Sequence, residues 1–349
     1  MPSLSQSQDD SRRHCMKRSF ITMRTVLVVM LALAFVAGTA FAGGGREEGE
    51  AAPSGPVRLN MGGGWVTGVY FPMAGAMSRI VHTQMDNVSL TVESSGASVV
   101  NSNLIRSGDL DMAIVQNDVA YYAYNGTGVA AFDGNAVSNM RGLFTMYPEP
   151  VQLIARADSG ISSPSDLAGR RVAIGPLGSG AEVNAIEVLQ VAGLTEGDLA
   201  GVERLAASEA ADFLRDGRVD AAFFTVAIGG AVIADLAVSQ DIVVVPITGE
   251  YAEALMDLRP FYATAAIPEG TYNNVPESET VAVLAMVVAD ANLSDDLVYD
   301  FMSAVFGNLD TLSSAHAAGR MVTLDTALDG MPIPLHAGAE RFFSEQGMQ

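Results

Sequence analysis

The chain has 349 residues, of which 49% are hydrophobic, and this is enough for two domains that each bury a core. Its formal net charge of −21 gives a surface that repels nucleic acid and anionic membranes, so we expect neither as a partner. The single cysteine, Cys15, lies in a leader that we expect to be removed. The mature protein then has no disulfide, no cysteine nucleophile and no cysteine-bound metal.

Residues 1–42 have the layout of a secretory signal peptide. Basic residues precede an apolar run at 26–38, and Ala40-Phe41-Ala42 forms a small-x-small cleavage site. The apolar run is shorter than the about 20 residues that a membrane span needs, and Gly43 stands where a lipoprotein carries its cysteine. We therefore expect a soluble, periplasmic or otherwise extracytoplasmic monomer that begins near Gly43 and has a disordered leader at 43–56.

The mature chain is strongly acidic. Residues 1–42 contain 5 basic and 2 acidic residues, so 14 basic and 38 acidic ones remain and the net charge is about −24. No lysine follows Lys17, and all 14 remaining basic residues are arginine. Two explanations stay open: adaptation to a salty habitat, and compositional drift in a GC-rich genome, which favours arginine over lysine.

If the charge is an adaptation to salt, the melting temperature of the mature protein is expected to rise with NaCl concentration. Salt shortens the Debye length from about 30 Å at 0.01 M to about 3 Å at 1 M, and this weakens the self-repulsion of the acidic surface. Melting curves recorded between roughly 0.05 and 2 M NaCl span the relevant range of screening. A melting temperature that does not change with salt would favour compositional drift.

The stretch from Leu59 to Val81 reads as a short strand, a glycine turn and a helix. Gly62, Gly63 and Gly64 allow positive φ and a close approach to the main chain. The apolar residues after them recur at helical spacing: Val69, Met73, Ala76, Met77 and Ile80. Such a turn leaves the N–H groups of the helix N-terminus open to a carboxylate or another anion. A tight corner without a ligand is the alternative, but the same design recurs at Gly175 to Gly193, and this repetition favours a ligand site.

Strands and helices alternate through the rest of the chain. The first part contains predicted strands at 88–93 and 111–115, helices at 97–107 and 119–124, and two strands at 140–146 and 150–155 around a proline-containing crossover at 147–150. The second part contains a short helix at 163–169, strands at 171–174, 202–205, 219–225 and 242–246, and helices at 208–216 and 229–239. The last part contains an extended segment at 260–267, a strand at 281–290, and helices within 294–312 and 338–343.

This alternation predicts an α/β fold with a mostly parallel sheet and crossover helices. Ligands of such sheets bind beyond the carboxyl ends of the strands. The chain is expected to leave a first domain near Tyr147 and to return to it near Phe261. We therefore predict domain I at 57–147 plus 261–349, domain II at 148–260, and a ligand cleft between the two.

Six blocks of the sequence, in order, resemble one known family. They are GGGWVTGVYFP, SSGASVVN, GDLDMAIVQNDVAYYAYNG, RADSGISSPSDLAGRRVAIGPLGSGAEVNA, DGRVDAAFFT and LDGMPIPLHAGAERFF. These blocks resemble the TAXI family, the extracytoplasmic solute receptors of tripartite ATP-independent periplasmic (TRAP) transporters. The resemblance covers about residues 57–346. Trp65 departs from it, because a small residue is more common there, and this changes the shape of the pocket.

The resemblance implies a type II periplasmic-binding-protein fold and a TRAP membrane permease as partner. It also implies a small carboxylate or amino acid as ligand, either glutamate-like or a dicarboxylate. A protein of this kind captures its ligand outside the cytoplasmic membrane and delivers it to the permease.

Loops from both domains are expected to bind the ligand in the cleft through main-chain N–H groups and hydroxyls, which suit a small polar anion. The predicted ligand-binding residues are Gly64, Thr67, Tyr70, Ser95, Gln116, Asp118, Tyr121, Gly178, Ser179, Gly180, Glu182 and Thr225. Alternatives stay open for Ser179 as a helix N-cap and for Tyr70 and Tyr121 as core residues. The two glycine turns are expected to face each other, so that a ligand touching both holds the cleft closed.

The sequence argues against a metal, a cofactor or a known catalytic motif. The histidines of the mature chain, His82, His316 and His336, have no HxxxH or HxxE spacing, so we expect no metal site. The GSG at 178–180 lacks the frame of a GxSxG elbow, and no Gly-Lys-Ser/Thr phosphate loop is present. Gly62-x-Gly64-x-x-Thr67 misses the third glycine of the dinucleotide fingerprint, so we expect no cofactor.

Two functional hypotheses remain. The first is a solute-binding receptor that closes on a small molecule and then docks on a permease. The second is a secreted enzyme that acts on a small organic acid in the same cleft. No pair of nucleophile and base is visible in the sequence, so we favour the receptor, which is not an enzyme. Turnover of a candidate acid would favour the enzyme instead.

Overall fold

A computed structural model describes residues 55–348. The predicted signal peptide at 1–42 and nearly all of the predicted leader lie outside the described residues. Among the helices of residues 55–348, none is long and apolar enough to cross a membrane.

Ten strands of the described chain form one curved sheet in the order β2-β1-β3-β10-β4-β7-β5-β6, with β8 also paired to β4 and β9 to β10. The strands are β1 (Val57–Gly62), β2 (Val88–Glu93), β3 (Met112–Gln116), β4 (Met140–Arg156), β5 (Arg171–Ala173), β6 (Gly201–Glu203), β7 (Ala221–Thr225), β8 (Ile242–Val245), β9 (Ala263–Ile267) and β10 (Ser278–Asp290). The first three strands pair in parallel, as do β5, β6 and β7, whereas β4 and β10 run antiparallel to their neighbours.

Helices connect the parallel strands, as the predicted alternation requires. The α-helices of residues 55–348 are α1 (Tyr70–Gln84), α2 (Ser98–Ser107), α3 (Asn117–Asn125), α4 (Gly180–Val191), α5 (Ala207–Arg215), α6 (Ala231–Ser239), α7 (Glu250–Leu258), α8 (Asp295–Phe306), α9 (Leu309–Ala315) and α10 (Ala337–Glu345). The short helix predicted at 163–169 is a 3-10 helix, Pro164–Leu167.

The long strand β4 corrects one prediction. The stretch 147–150 was expected to be a crossover between two strands, but β4 continues through it and pairs with β10 up to Pro150. Pro148 and Pro150 are two residues apart, so their missing N–H groups fall on the same edge of the strand. The edge of β4 that faces away from β10 pairs with β7, and this pairing begins only at Val151. The two prolines therefore remove no hydrogen bond between β4 and β7.

The hydrophobic core divides according to the two halves of the sheet and their faces. In β3, Ile114 packs with one cluster of buried residues and Val115 with another, because successive side chains point to opposite faces. In β7, Phe223 and Phe224 separate into two further clusters in the same way. The predicted domain boundaries at 147–148 and 260–261 stay a prediction.

Candidate functional site

A cavity of about 290 Å³ lies at the carboxyl ends of β1, β3 and β7. It is bounded by both glycine turns, the first at 64–70 and the second at 175–181, and by Glu149 of β4. The ends of parallel strands from both halves of the sheet therefore meet the two turns at one place. This volume is at the lower end of the range for small-molecule sites, about 300–1,000 Å³. The cavity has the size for a single small molecule.

The first glycine turn is held by backbone and side-chain hydrogen bonds. Gly64 has φ of 64°, a conformation that favours glycine. Its N–H donates to Ser95 Oγ at 3.2 Å, and its carbonyl accepts the N–H of Ser95 at 2.9 Å. Ser95 Oγ also accepts the N–H of Ala97 at 3.2 Å. Ser95 is thus a brace behind the turn, whereas Gly64, Thr67 and Tyr70 line the cavity.

The second turn satisfies its polar groups largely within itself. Ser179 is the N-cap of α4, and its Oγ accepts the N–H of Glu182 at 3.1 Å. The carboxylate of Glu182 accepts the N–H of Gly178 at 2.7 Å and pairs with Arg204 at 2.6 Å. Gly178, Ser179 and Glu182 therefore shape the turn, and Gly180 is the predicted residue of this turn that lines the cavity.

The two turns lie in contact across the site. The carbonyl of Gly178 accepts the N–H groups of Val99 and Val100, at 3.2 and 3.3 Å, at the start of α2. Gly180 packs so closely on Gln116, the last residue of β3, that a Cβ at position 180 would lie 1.7 Å from Gln116 Oε1. Glycine is required at this position because the backbone of α4 and the amide of Gln116 occupy adjoining space.

The polar part of the cavity centres on Glu149. This carboxyl is only 2% exposed, and Tyr70 Oη donates to its Oε2 at 2.6 Å. Burial raises the pKa of Glu149 to about 8, and burial together with Glu149 raises the pKa of Tyr70 well above its ordinary value. Beside it, Gln116 Oε1 and Thr225 Oγ1 are buried and have no hydrogen-bond partner in the described part of the chain. These two oxygens are unsatisfied polar atoms of residues that line the cavity.

Apolar side chains cover most of the remaining wall. They include Trp65, Leu205, Phe223, Phe224 and Ile233. Among the described residues that line the cavity there is neither arginine nor lysine. His316 also lines it, and burial lowers the pKa of its imidazole, while its Nδ1 accepts the N–H of Ala318 at 3.1 Å. The wall is therefore mostly apolar, and Glu149 is the one carboxyl among the described lining residues.

The structure gathers six of the twelve predicted ligand-binding residues around this cavity. Gly64, Thr67, Tyr70, Gln116, Gly180 and Thr225 line it, whereas Ser95, Asp118, Tyr121, Gly178, Ser179 and Glu182 lie outside its lining. Tyr121 is 37% exposed, and its ring centroid is 4.7 Å from that of Phe261. A role of these residues in ligand binding stays a prediction.

Asp118 belongs to a buried polar network that joins α3 to α4. Asn184 Nδ2 donates to Asp118 Oδ2 at 2.8 Å. One helical turn further on, Glu187 accepts the hydroxyls of Tyr122 and Tyr262, both at 2.6 Å. Burial, and the nearby Glu187, raise the pKa of Asp118 to about 7. The network connects the helix behind the first half of the site to the helix that begins in the second turn.

Arg259 is the cation of this network, and its removal is expected to destabilise the fold. Arg259 Nε donates to Glu187 Oε1 at 2.9 Å, and Glu187 is nearly buried. In Arg259→Gln, Glu187 keeps two tyrosine donors but loses its charge partner, so we expect a loss of about 2 kcal/mol in the free energy of unfolding. Urea denaturation measures this. The exposed pair of Arg341 and Asp296 supplies the control, since Arg341→Gln should cost under about 1 kcal/mol. Equal losses in the two variants would contradict the assignment.

Sequence reasoning missed Glu149, the phenylalanines of β7 and His316 as lining residues. The predicted proline crossover included Glu149. The signal was a lone carboxylate in an otherwise apolar stretch, MRGLFTMYPEPVQLIAR, because a buried charge without a partner is costly and is usually kept for a function. Phe223 and Phe224 were predicted only as part of a strand, and the pattern of β7 contains no signal that distinguishes core from cavity wall.

Comparison with solved structures identifies the fold. PhnD1 from Prochlorococcus marinus, solved with methylphosphonate, matches with a TM-score of 0.50 and 11% identity over 77% of this chain and 92% of that one. The periplasmic aliphatic sulphonate binding protein SsuA from Escherichia coli matches with a TM-score of 0.45 and 14% identity over 83% and 79%. A TctC solute binding protein from Polaromonas gives 0.45 and 13% over 84% and 95%. At these identities the likeness concerns the fold, and the predicted α/β periplasmic-binding-protein fold is confirmed.

Comparison with protein-family models gives a match that covers most of the chain. The model described as the NMT1-like family matches residues 61–347. The match begins in β1 and ends beyond α10, so it includes both glycine turns and every strand after the first. The chain belongs to the NMT1-like family.

Proposed function

We propose that this protein is the extracytoplasmic solute-binding protein of a TRAP transporter, of the TAXI type. It captures a small carboxylate or amino acid in the cavity and delivers it to the membrane permease. The observation that carries this proposal is a cavity between two glycine turns, at the carboxyl ends of strands from both halves of the sheet. Membership of the NMT1-like family and the six sequence blocks that resemble TAXI receptors support it.

The proposal includes a clamshell motion. Residues 57–147 with 261–349 form one domain and residues 148–260 the other, and the chain passes between them within β4 and again at 260–261. In the free protein the two glycine turns separate, and a ligand that contacts both of them favours the closed form. The hydrogen bonds from Val99 and Val100 to Gly178 belong to the closed form. The protein acts as a monomer outside the cytoplasmic membrane after cleavage of its signal peptide, and it performs no catalysis.

Mass spectrometry of gently purified protein tests this function. Mature protein released from the periplasm is expected to carry about one equivalent of a small organic molecule, which appears unchanged after denaturation. Small-angle scattering should show that the protein becomes more compact when the molecule is added back after its removal. Conversion of that molecule to a product during incubation would support the secreted enzyme instead. A protein that carries no small molecule and binds none would contradict both functions.

A further inference from the structure

Three side chains that line the cavity, Glu149, Gln116 and Thr225, contribute hydrogen-bond acceptors. The carboxyl of Glu149 keeps one oxygen beyond the bond from Tyr70, and Gln116 Oε1 is buried without a partner among the described residues. Thr225 Oγ1, likewise unpartnered there, can accept as well as donate. An N–H or O–H donor of a ligand can pair with the remaining oxygen of Glu149, and the ionised form of this carboxyl favours a donor with positive charge.

The described residues that line the cavity include no cationic side chain that could pair with an acidic ligand. They include no arginine or lysine, and burial keeps His316 neutral. The N–H groups of Gly180 and Ala181, in the first turn of α4, have no acceptor within the helix and can hold one carboxylate. A dicarboxylate would place its second negative charge in an apolar cavity without a cationic partner, where the charge is desolvated and, whenever Glu149 is ionised, also repelled.

The rest of the cavity is suited to an uncharged, apolar group. Phe223, Phe224 and Ile233, at the end of β7 and in α6, are each less than 5% exposed and line the wall. Trp65, beside the first glycine turn, and Leu205, after β6, extend this surface. Burying a leucine-sized side chain against such a wall contributes favourably through the hydrophobic effect, whereas a second charge there would have no partner.

We propose that the ligand of this cavity is a small molecule with an ammonium group on an uncharged, apolar body, such as an apolar amino acid or the corresponding amine, and that Glu149 is the counter-ion of the ammonium. This inference rests on the proposed function, because it names the ligand class of the same site. It narrows that function by excluding dicarboxylates and glutamate.

A charge pair between Glu149 and an ammonium group changes the number of protons that the protein holds. Glu149 is surrounded by Tyr70, Tyr147, Gln116 and Asp118, none of which is a cation, and its pKa in the empty cavity is about 8. At pH 7 the carboxyl is therefore mostly protonated. An ammonium at hydrogen-bond distance favours the ionised form, so binding is expected to release nearly one proton per ligand. A ligand without a positive charge releases none from Glu149.

Calorimetric titration with four matched probes tests the proposal. L-leucine carries both charged groups and an isobutyl body, 3-methylbutylamine lacks the carboxylate, 4-methylpentanoate lacks the ammonium, and succinate is a dicarboxylate. We expect L-leucine and 3-methylbutylamine to bind, and 4-methylpentanoate and succinate to bind at least roughly 30-fold more weakly than L-leucine. Titrations at pH 7 in two buffers of different ionisation enthalpy should show that L-leucine and 3-methylbutylamine each release a proton on binding.

The variant Glu149→Gln tests the counter-ion directly. The introduced amide keeps an acceptor for the Tyr70 hydroxyl but has no charge, so affinity for L-leucine should fall roughly 30-fold or more and the proton release should disappear. Glu203→Gln, at an exposed carboxylate of β6, is the control and should bind like the parent. Circular dichroism establishes that both variants are folded. The proton release is measured on the parent protein, so it tests the proposal even if a variant does not fold.

The outcomes separate this inference from the proposed function. If succinate binds while neither L-leucine nor 3-methylbutylamine does, the ammonium proposal is wrong and the solute-binding function stands. Equal binding of 4-methylpentanoate and L-leucine, or unchanged affinity in Glu149→Gln, also overturns the proposal. If none of the probes binds, the ammonium proposal is wrong, and the solute-binding function then depends on the molecule that purifies with the protein.

Discussion

Gly180→Val is expected to lower the affinity for the bound solute at least about 100-fold, close to 3 kcal/mol, while leaving the fold intact. The reason is the contact between Gly180 and Gln116. A Cβ at position 180 would lie 1.7 Å from Gln116 Oε1 and 2.3 Å from its Cδ, so the amide must leave its place or the second turn must move away. Gln116 is 2% exposed and lines the cavity, so either change alters the site.

Two measurements test this expectation. Titration with the molecule that purifies with the parent gives the affinity, and Gly180→Ala should lie between the parent and Gly180→Val. Hydrogen exchange should show faster exchange at the amides of Val99 and Val100, because their acceptor is the carbonyl of Gly178 in the displaced turn. Gly75→Ala in α1 is the control, since a Cβ there meets only Arg79 Nη1 at 3.9 Å. Parental affinity in Gly180→Val would show that the second turn is structural only.

The parts of the fold that the sequence predicted well depend on local patterns. The glycine turn at 62–64 and the helical spacing of Met73, Met77 and Ile80 are readable because each depends on neighbours a few residues away. In the structure α1 begins at Tyr70 and these three residues are buried. Gly64 adopts positive φ, as the turn requires. The parallel pairing of β1 with β2 and β3 then follows from the βαβ rhythm.

The parts that the sequence did not predict depend on distant residues. Asp118 is one of the predicted ligand-binding residues, and the sequence did not indicate that its Oδ2 accepts a hydrogen bond from Asn184, 66 positions away. The spacing of α3 carries no information about a partner in α4. Glu149 likewise looks like a turn residue between prolines until β10 is seen to pair along it, with Val283 opposite. Which carboxylate lies in the site is therefore decided by tertiary pairing.

Stability is expected to fall as the pH rises from 5 to 8, because of two buried carboxyls, of which Glu149 has the higher pKa. In the folded chain this carboxyl keeps its proton up to about pH 8, whereas its ordinary pKa is 4.5. Between these values the unfolded state binds fewer protons than the folded one, so raising the pH favours unfolding. The contribution is fully present below pH 4.5 and is lost as the pH approaches 8. Its full size is on the order of 5 kcal/mol in the free energy of unfolding.

Two other carboxylates, Asp220 and Asp118, illustrate the opposite and the same direction of pKa shift. Arg171 holds the pKa of Asp220 below its ordinary value of 3.8, so that pair loses its contribution only as the pH falls below about 4. The pKa of Asp118 is raised to about 7, as that of Glu149 is raised, so the ionisation of Asp118 also lowers the stability as the pH rises. Between pH 5 and 8 the slope therefore reports mainly on these two buried carboxyls, together with the growing repulsion of the acidic surface.

The variant Glu149→Gln shows how much of the fall in the free energy of unfolding between pH 5 and 8 is due to Glu149. The introduced amide cannot ionise and still accepts the hydroxyl of Tyr70, so the variant should match the parent near pH 4.5 and exceed its stability by several kcal/mol near pH 8. Urea denaturation of ligand-free protein at constant ionic strength, from pH 5 to 8, measures the difference. The control Glu203→Gln removes one charge from the acidic surface without touching the cavity, and its curve should run parallel to that of the parent. If the curve of Glu149→Gln is parallel to the parental one as well, Glu149 ionises in the folded chain as it does in water, and its assignment as a buried, protonated carboxyl is wrong.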